Sequence, residues 1–166
     1  ADQATRIAGN AFPTIKPDLI RVRYHTSSGM SPSWDFIIIQ ENATLITGSL
    51  DADTGRMGSF AHKVSPSGRP SVPVLSLPAA LAIANKTIAT GNGGIPVSMT
   101  SGRYEALQKA KAPVAGRYVF QYNRIVQDIP CDNDGFTIAV DAVTGELLDY
   151  ERRWADPENA CSIASE

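Results

Sequence analysis

Histidine and cysteine are the side chains of this sequence that could supply a nucleophile and its base. The chain has two of each, with His25 and His62 in its first half and Cys131 and Cys161 in its second half. A thiol and an imidazole must lie within hydrogen-bonding distance to act together, and this separation along the chain does not favour such a pair. Neither cysteine has an obvious cationic neighbour that would stabilise a thiolate. The sequence therefore predicts no catalytic residues, and we expect the protein not to be an enzyme.

One acidic segment, Asp132-Asn133-Asp134-Gly135, resembles the middle of a calcium-binding loop. The first ligand position of such a loop would fall on Pro130, which has no side-chain oxygen. The following residues, 136–138, alternate like a strand, and no helix flanks the segment. A hairpin turn is therefore the better interpretation, and two cysteines are also too few for a zinc site. We expect neither a metal nor a cofactor.

Two cysteines and two asparagines are candidate sites of covalent modification. Cys131 and Cys161 either form a disulfide with each other or remain two independent thiols. Asn42 and Asn85 each begin an Asn-x-Thr triplet, the acceptor sequence for N-glycosylation. Such triplets also arise by chance, but they favour an extracytoplasmic location, either secreted or at the cell surface.

A candidate protein-contact surface lies near the end of the chain, where aromatic and arginine residues occur close together. Tyr150, Arg152 and Trp154 stand at alternate positions, with Arg153 between the last two. Tyrosine, tryptophan and arginine are enriched at the energetic centres of protein interfaces. These residues could instead belong to the core or to a sheet face, and both interpretations stay open.

The composition argues against several classes of partner. Hydrophobic residues make up 43% of the chain and charged residues 19%, so we expect a packed core and little disorder. The net charge is −2, and no basic stripe suggests nucleic-acid binding. The longest apolar run, Phe36–Ile39, is much shorter than a membrane span. No signal peptide is recognisable, and a secreted protein from which the signal has been removed would look the same.

An internal repeat organises the sequence. Residues 50–60 and residues 140–150 share Asp, Ala, Thr and Gly at equivalent positions, each preceded by an apolar residue and closed by an aromatic one. The Asp side chain can accept hydrogen bonds from turn amides, and Gly supplies the positive φ that closes the turn. We therefore predict two β-hairpins, at 46–60 and 136–150. Asp51 and Asp141 are interpreted as turn caps and not as catalytic carboxylates.

Two further matches precede each hairpin. The aromatic strand 34–38 matches 118–122, and the helical segment 4–8 matches 80–84. The offset between the matched segments grows along the chain, which indicates longer loops in the second copy because loops are the places where insertions are tolerated.

These matches predict an α+β fold of two repeated units, each a helix packed on a twisted antiparallel sheet of about three or four strands. The predicted organisation is a first unit at 1–64, a Pro- and Ser-rich connector at 65–77, a second unit at 78–154 and a loose tail at 155–166. The stretch Tyr104–Lys111 has high helix propensity, whereas its counterpart Leu19–His25 alternates like a strand. Helix and strand both remain open there, and the repeat favours strand.

The repeated pattern resembles the PepSY domain, a family named for peptidase propeptides and a spore-germination protein. The resemblance rests on a helix, a strand of alternating aromatic residues and an apolar-Asp-Ala-x-Thr-Gly hairpin that closes on an aromatic residue. It covers roughly residues 1–64 and 78–154. The second copy, from Tyr118 to Asp141, is similar to the YcdB/YcdC-type variant. The first copy departs from the pattern at Gly48 and Gly58, which stand in predicted strands.

The resemblance implies an extracytoplasmic, non-catalytic module with no catalytic residues at any position. Such modules are often suggested to inhibit or chaperone a peptidase, so the expected partner is a peptidase or another envelope protein, bound through a sheet face or edge strand. The alternative is a structural spacer or adhesive repeat of a larger cell-surface protein. A hydrolase with an unrecognised site is a third hypothesis.

Overall fold

A computed structural model of the protein describes residues 1–13, 15–26, 31–41, 43–91, 94–108 and 111–153. These residues form two helices and eight β-strands, and their strand pairs within each half of the chain are antiparallel. The predicted α+β class is confirmed. The chain divides into two compact units, the first spanning Ala1–Val64 and the second beginning at Ser65. Neither helix in the described part of the chain is long and apolar enough to cross a lipid bilayer.

The first unit combines one helix with four strands in the order β1-β2-β3-β4. Its elements are α1 (Asp2–Ala11), β1 (Leu19–His25), β2 (Ser33–Gln40), β3 (Ala43–Asp51) and β4 (Met57–His62). Ala4, Ile7 and Ala8 recur on one face of α1 at helical spacing, and both alanines are buried. The rest of the buried core alternates along β2 and β3, and consists of Phe36, Ile38, Ile46 and Leu50.

The second unit combines one helix with four strands in the order β8-β7-β6-β5. Its elements are α2 (Leu77–Gly91), β5 (Val97–Leu107), β6 (Val114–Val126), β7 (Ile129–Asp141) and β8 (Leu147–Arg153). Ser76 caps α2, since its hydroxyl accepts a hydrogen bond from the Ala79 amide at 3.4 Å. Ala80 and Ala84 are fully buried on one face of this helix. The helices predicted around residues 4–8 and 80–84 are thus confirmed.

Strand pairing follows the same register in both units. Trp34 pairs with Leu50 as Tyr118 pairs with Val140. In the same way, Phe36 pairs with Gly48 as Phe120 pairs with Ile138, and Ile38 pairs with Ile46 as Tyr122 pairs with Phe136. Both hairpins that follow also contain a register shift just before the turn, between Ser49 and Leu50 and between Ala139 and Val140. The hairpins predicted at 46–60 and 136–150 are therefore confirmed.

The ambiguous stretch Tyr104–Lys111 is a strand as far as Leu107. It belongs to β5, which pairs with β6 along its length and places Tyr104 opposite Tyr118. The rings of these two tyrosines lie 5.4 Å apart. Cross-strand pairing thus overrides the local helix propensity, as β-sheet contexts commonly do.

The turn predicted at Asp132–Gly135 is wrong. The chain reverses earlier, at Gln127 and Asp128, which have φ values of 50° and 65°. Two consecutive residues with positive φ are typical of the tight turns that match strand twist. The acidic segment is instead a bulge in β7. Asn123 of β6 pairs with Gly135, whereas the next residue, Arg124, pairs with Cys131, so residues 132–134 have no partner in the strand register.

Candidate functional site

An aspartate caps the hairpin turn in each unit. Asp51 Oδ1 accepts hydrogen bonds from the amides two and three residues further on, at 3.1 Å and 2.7 Å. Asp141 Oδ1 accepts the two equivalent hydrogen bonds, at 2.7 Å and 3.3 Å. Each carboxylate therefore holds its own turn, which confirms the interpretation of both residues as turn caps.

Each turn glycine lies against the helix of its own unit. Gly55 and Gly145 have φ values of 69° and 77°, a left-handed conformation that favours glycine. A Cβ atom at Gly55 would lie 3.0 Å from Cδ1 of Ile7, and one at Gly145 would lie 3.2 Å from Cδ1 of Ile83. We call the place where α1, β2 and the Asp51 turn meet the first corner. The second corner is the place where α2, β6 and the Asp141 turn meet.

Arg69 forms a buried ion pair with Asp141 at the second corner. Its terminal nitrogens contact both carboxylate oxygens, at 2.9 Å (Nη1–Oδ2) and 2.6 Å (Nη2–Oδ1). Nε also donates to the carbonyl of Ala115 at 2.6 Å, and Nη2 to that of Gly116 at 3.0 Å. The side chains of Arg69 and Asp141 are 8% and 1% exposed. The guanidinium thus binds one carboxylate and two carbonyls in the bidentate geometry that arginine favours.

The ion pair keeps both side chains charged. Burial alone would raise the pKa of Asp141, but hydrogen bonds from Arg69 and from the turn amides outweigh burial and hold this pKa below its ordinary value. The hydrogen bond to Asp141 raises the pKa of Arg69, although burial opposes it. A carboxylate and a guanidinium held in this way do not exchange protons near neutral pH. The pair is therefore suited to holding chain segments together and not to acid–base catalysis.

The chain segment that follows Arg69 is also bonded to the second corner. The amides of Val74 and Leu75 both donate to the carbonyl of Ala142 at 2.9 Å. The Tyr118 hydroxyl donates to the carbonyl of Leu75 at 2.8 Å. Residues 69–75, which belong to the predicted connector, thus form a peptide that is held by side-chain and main-chain hydrogen bonds.

Arg69 is a site residue that the sequence pattern does not predict. The surrounding residues, 65–77, are rich in proline and serine and read as a series of turns. One available signal is that Arg69 is the only charged residue of this segment. A solitary charge in an otherwise uncharged connector is a reason to look for a buried partner.

The first corner contains a cavity of about 140 Å³. This volume exceeds that needed for a single water molecule. The lining includes residues of α1, β2 and the turn, among them Ala4, Ile7, Trp34, Asp51, Ala52 and Asp53. The acidic side chains in the lining are those of Asp51 and Asp53.

The structure corrects the predicted contact surface on β8. Tyr150 is only 8% exposed, and its ring lies 5.8 Å from that of Phe136. Its side chain faces the core, so the prediction of an exposed contact at Tyr150 is wrong. Burial accordingly raises the pKa of its phenol. Arg152 is half-buried on the same strand, and Trp154 lies outside the described residues.

Of the four candidate modification sites, the structure describes Cys131 and Asn85. Cys131 is buried on β7, whereas Cys161 lies outside the described residues, so their pairing stays a prediction. Asn42 also lies outside the described residues. Asn85 is exposed on α2, and its Oδ1 accepts a hydrogen bond from the Tyr122 hydroxyl at 2.8 Å. Burial raises the pKa of Tyr122 to about 12, so its hydroxyl keeps the proton that it donates.

The two histidines are not brought together. His25 ends β1 and His62 ends β4, strands that are not neighbours in the first unit. Across the described part of the chain, no group of three or more His, Cys, Asp or Glu side chains is arranged to hold a metal ion.

Comparisons with known proteins give a family and a fold. The sequence profile of the family described as the YcdB, YcdC repeated domain matches residues 22–154. No curated protein sequence matches the chain. The solved structure of the Bacillus megaterium YpeB C-terminal domain is similar, with a TM-score of 0.65 at 13% sequence identity.

The structural similarity covers 91% of this chain and 62% of the YpeB chain, so this chain spans less than two thirds of that relative's length. At this level of identity the similarity shows a shared fold.

Proposed function

The chain belongs to the YcdB, YcdC repeated-domain family, and from this premise we propose that it is a non-catalytic protein-binding module made of two copies of one unit. The proposed location is extracytoplasmic, and the proposed partner is a peptidase or another envelope protein whose activity the module regulates. The PepSY resemblance and the fold shared with the YpeB C-terminal domain support this proposal.

The repetition is supported by contacts that recur at equivalent positions. The strand register is the same in both units, including the irregularity before each Asp turn. The turn glycine meets an isoleucine of the helix in each case, Gly55 with Ile7 and Gly145 with Ile83. Such agreement in buried detail is expected of two copies of one folding unit.

The observation that carries the binding role is the peptide held at the second corner. Arg69 inserts into a buried site made by Asp141 and two β6 carbonyls, while the main chain of Leu75 is bonded on both its amide and its carbonyl side. Main-chain hydrogen bonds combined with one specific side-chain pocket are the usual means of recognising a peptide. A unit with this architecture has the groups needed to hold a segment of another protein.

The second candidate is a structural spacer or adhesive repeat within a larger surface protein. The description of the family as a repeated domain favours it. In that case the repeated unit would serve mainly to extend a surface protein, and its corners would hold only segments of their own chain.

The test is capture of partners by the immobilised chain from the secreted and surface fraction of the source organism, followed by peptidase assays with and without the chain. The proposal expects a specific partner and a change in its activity at stoichiometric amounts of the chain. Absence of any partner would favour the spacer. Turnover by the purified chain that a single histidine or cysteine substitution abolishes would overturn the non-catalytic assignment.

A further inference from the structure

The outer strand of the first unit, β1, is a regular edge strand. It pairs with β2 from Leu19 to His25 without a register shift, and within the described part of the chain no other strand pairs with it. Every second residue of an edge strand directs its amide and carbonyl away from the sheet, where they can pair with another extended chain. β1 therefore has the main-chain groups needed to receive one further strand.

The outer strand of the second unit, β5, is less open to such pairing. Its register with β6 shifts twice, between Met99 and Ser101 and between Glu105 and Leu107. Irregularities of this kind bend an edge strand and interrupt the regular spacing that an added strand needs. The Arg103 side chain of β5 is also paired, since its Nη2 lies 2.9 Å from Oε1 of Glu105 on the same strand. Of these two strands, β1 is the one whose geometry allows strand addition.

The two faces of β1 differ in their chemistry. Arg21, Arg23 and His25 alternate along one face, and all three residues are exposed. Ile20 and Val22 alternate along the other face, where both are partly buried against the core of the first unit. A strand added beside β1 would place its own alternate side chains next to these two rows. It would meet basic side chains on one face of the sheet and apolar side chains on the other.

The basic face of β1 has an excess of positive charge. Among the described residues, neither Arg21 nor Arg23 forms an ion pair. Asp35 of β2 lies opposite Arg23 in the strand register, so one carboxylate faces two guanidinium groups across this strand pair. Carboxylates on an added strand would supply further negative charge. A symmetric antiparallel pair of β1 strands from two copies would instead bring the arginines together, and like charges on neighbouring strands are destabilising.

We propose that β1 binds an extended segment of a partner protein in which carboxylate and apolar side chains alternate, and that this segment joins the first unit's sheet as an additional strand. This proposal rests on the proposed binding function and specifies its surface and the chemistry of its partner. The carboxylates of the segment bind Arg21 and Arg23, and its apolar side chains extend the face formed by Ile20 and Val22. Main-chain hydrogen bonds supply affinity in this mode of recognition, and the alternating side chains supply specificity.

The probe is a capped synthetic peptide of seven residues, the length of β1, in which glutamate and valine alternate. Its binding to the isotope-labelled full chain is followed by NMR. We expect saturable binding, with amide signals that shift along β1 and stay unchanged along β5. A peptide with lysine in place of glutamate should bind about tenfold more weakly or not at all, because attraction becomes repulsion. A glutamate–valine peptide that is N-methylated at every residue should not bind, because it has no main-chain donors.

The matched protein variants are the double substitution Arg21→Gln with Arg23→Gln, and the single substitution Arg56→Gln. The double variant should weaken binding of the glutamate–valine peptide by about fivefold or more, and its difference from wild type should shrink at high salt because exposed charges are screened. Arg56 is exposed between β3 and β4, neither of which pairs with β1, so Arg56→Gln should leave binding unchanged. Thermal unfolding of both variants verifies that they are folded.

Three results would overturn the proposal. The first is equal binding of the glutamate and lysine peptides, and the second is binding of the N-methylated peptide, which would show a contact made by side chains alone. The third is signal shifts along β5 in place of β1. Failure of the glutamate–valine peptide to bind a chain that still captures an envelope partner would overturn this proposal alone, leaving the binding function intact.

Discussion

The Asp141 carboxylate stabilises two separate segments at once. Its Oδ1 accepts hydrogen bonds from turn amides and lies 2.6 Å from a guanidinium nitrogen of Arg69. Removing one partner of a buried ion pair typically costs about 3–5 kcal/mol, because the remaining charge loses its compensation. Loss of Arg69 should therefore affect the turn, and loss of Asp141 should affect the segment that follows Arg69.

We predict that Asp141→Asn makes folding stability less sensitive to acid. The pKa of Asp141 is lowered in the folded state, so its ionisation stabilises the fold above the ordinary aspartate pKa of about 4. This contribution is lost as the pH falls through the lowered pKa. In urea unfolding from about pH 7 to about pH 3, the variant should start less stable and lose less free energy on acidification. Equal losses in wild type and variant would contradict the assignment, and Asp35→Asn is the exposed control.

Gly145 and Glu146 are adjacent but should respond very differently to substitution. Gly145→Val places a β-branched residue at a φ of 77° and against Ile83. We expect a loss of about 1–3 kcal/mol from the backbone strain. Glu146 is exposed, and Glu146→Ala should change stability by no more than about 0.5 kcal/mol. Thermal unfolding of both variants measures the difference, and equal midpoints would show that the turn is assigned incorrectly.

Residue roles that depend on local pattern could be predicted from the sequence, and roles that depend on distant partners could not. The caps at Asp51 and Asp141 follow from the spacing of Asp, Thr and Gly within one turn. Arg69 binds a carboxylate 72 positions away and two backbone carbonyls. Every residue has a backbone carbonyl, so the side-chain pattern does not indicate which carbonyls accept hydrogen bonds from Arg69.

At the scale of elements, the glycine in β3 has a packing reason. A Cβ atom at Gly48 would lie 2.4 Å from Cζ of Phe36 and 2.4 Å from the carbonyl oxygen of Ser59. The Phe36 ring therefore takes up the space that an apolar side chain occupies at Ile138, the equivalent position of the second unit. The missing side chain at Gly48 is thus compensated by Phe36 across the strand pair.

We predict that Gly48→Ala destabilises the first unit by about 1–3 kcal/mol, through overpacking against Phe36. Thr47 is exposed on the same strand, and Thr47→Ala should cost no more than about 0.5 kcal/mol. Adding Phe36→Leu to Gly48→Ala should recover part of the loss, because the two residues share one volume. Chemical unfolding of the single and double variants measures the coupling, and strictly additive losses would contradict it.

Strands were predictable as elements, but one of their connections was not. The apolar alternation of β2, β3, β6 and the later part of β7 marks them directly. The β6–β7 turn at Gln127 and Asp128 lacks glycine, whereas the bulged segment Asp132–Gly135 has the composition of a turn. Local composition therefore predicts the wrong position for the turn. The position is set instead by the register in which β6 and β7 pair along their whole length.

At the scale of the whole molecule, the proposed repetition of one unit implies paired sites of mutational sensitivity. Ala8 and Ala84 are both fully buried and occupy equivalent helix positions. We predict that Ala8→Leu and Ala84→Leu each destabilise the protein by about 1–3 kcal/mol through overpacking. The exposed equivalents Asn10 and Lys86 should tolerate alanine within about 0.5 kcal/mol. Unfolding free energies measure the set, and a large loss at only one of the two alanines would argue against equivalent packing.

Residues 69–75, which are held at the second corner, also determine where the second unit can be cut out and grafted onto another protein. A graft that begins at the helix would carry the turn, the strands and the Asp141 carboxylate, but would leave behind the guanidinium that neutralises it. A graft that begins at Ser65 includes Arg69, the counter-ion of Asp141. The transferable module is therefore longer than its helix and strands, because the buried Arg69 side chain and the hydrogen-bonded main chain of Val74 and Leu75 belong to the second unit.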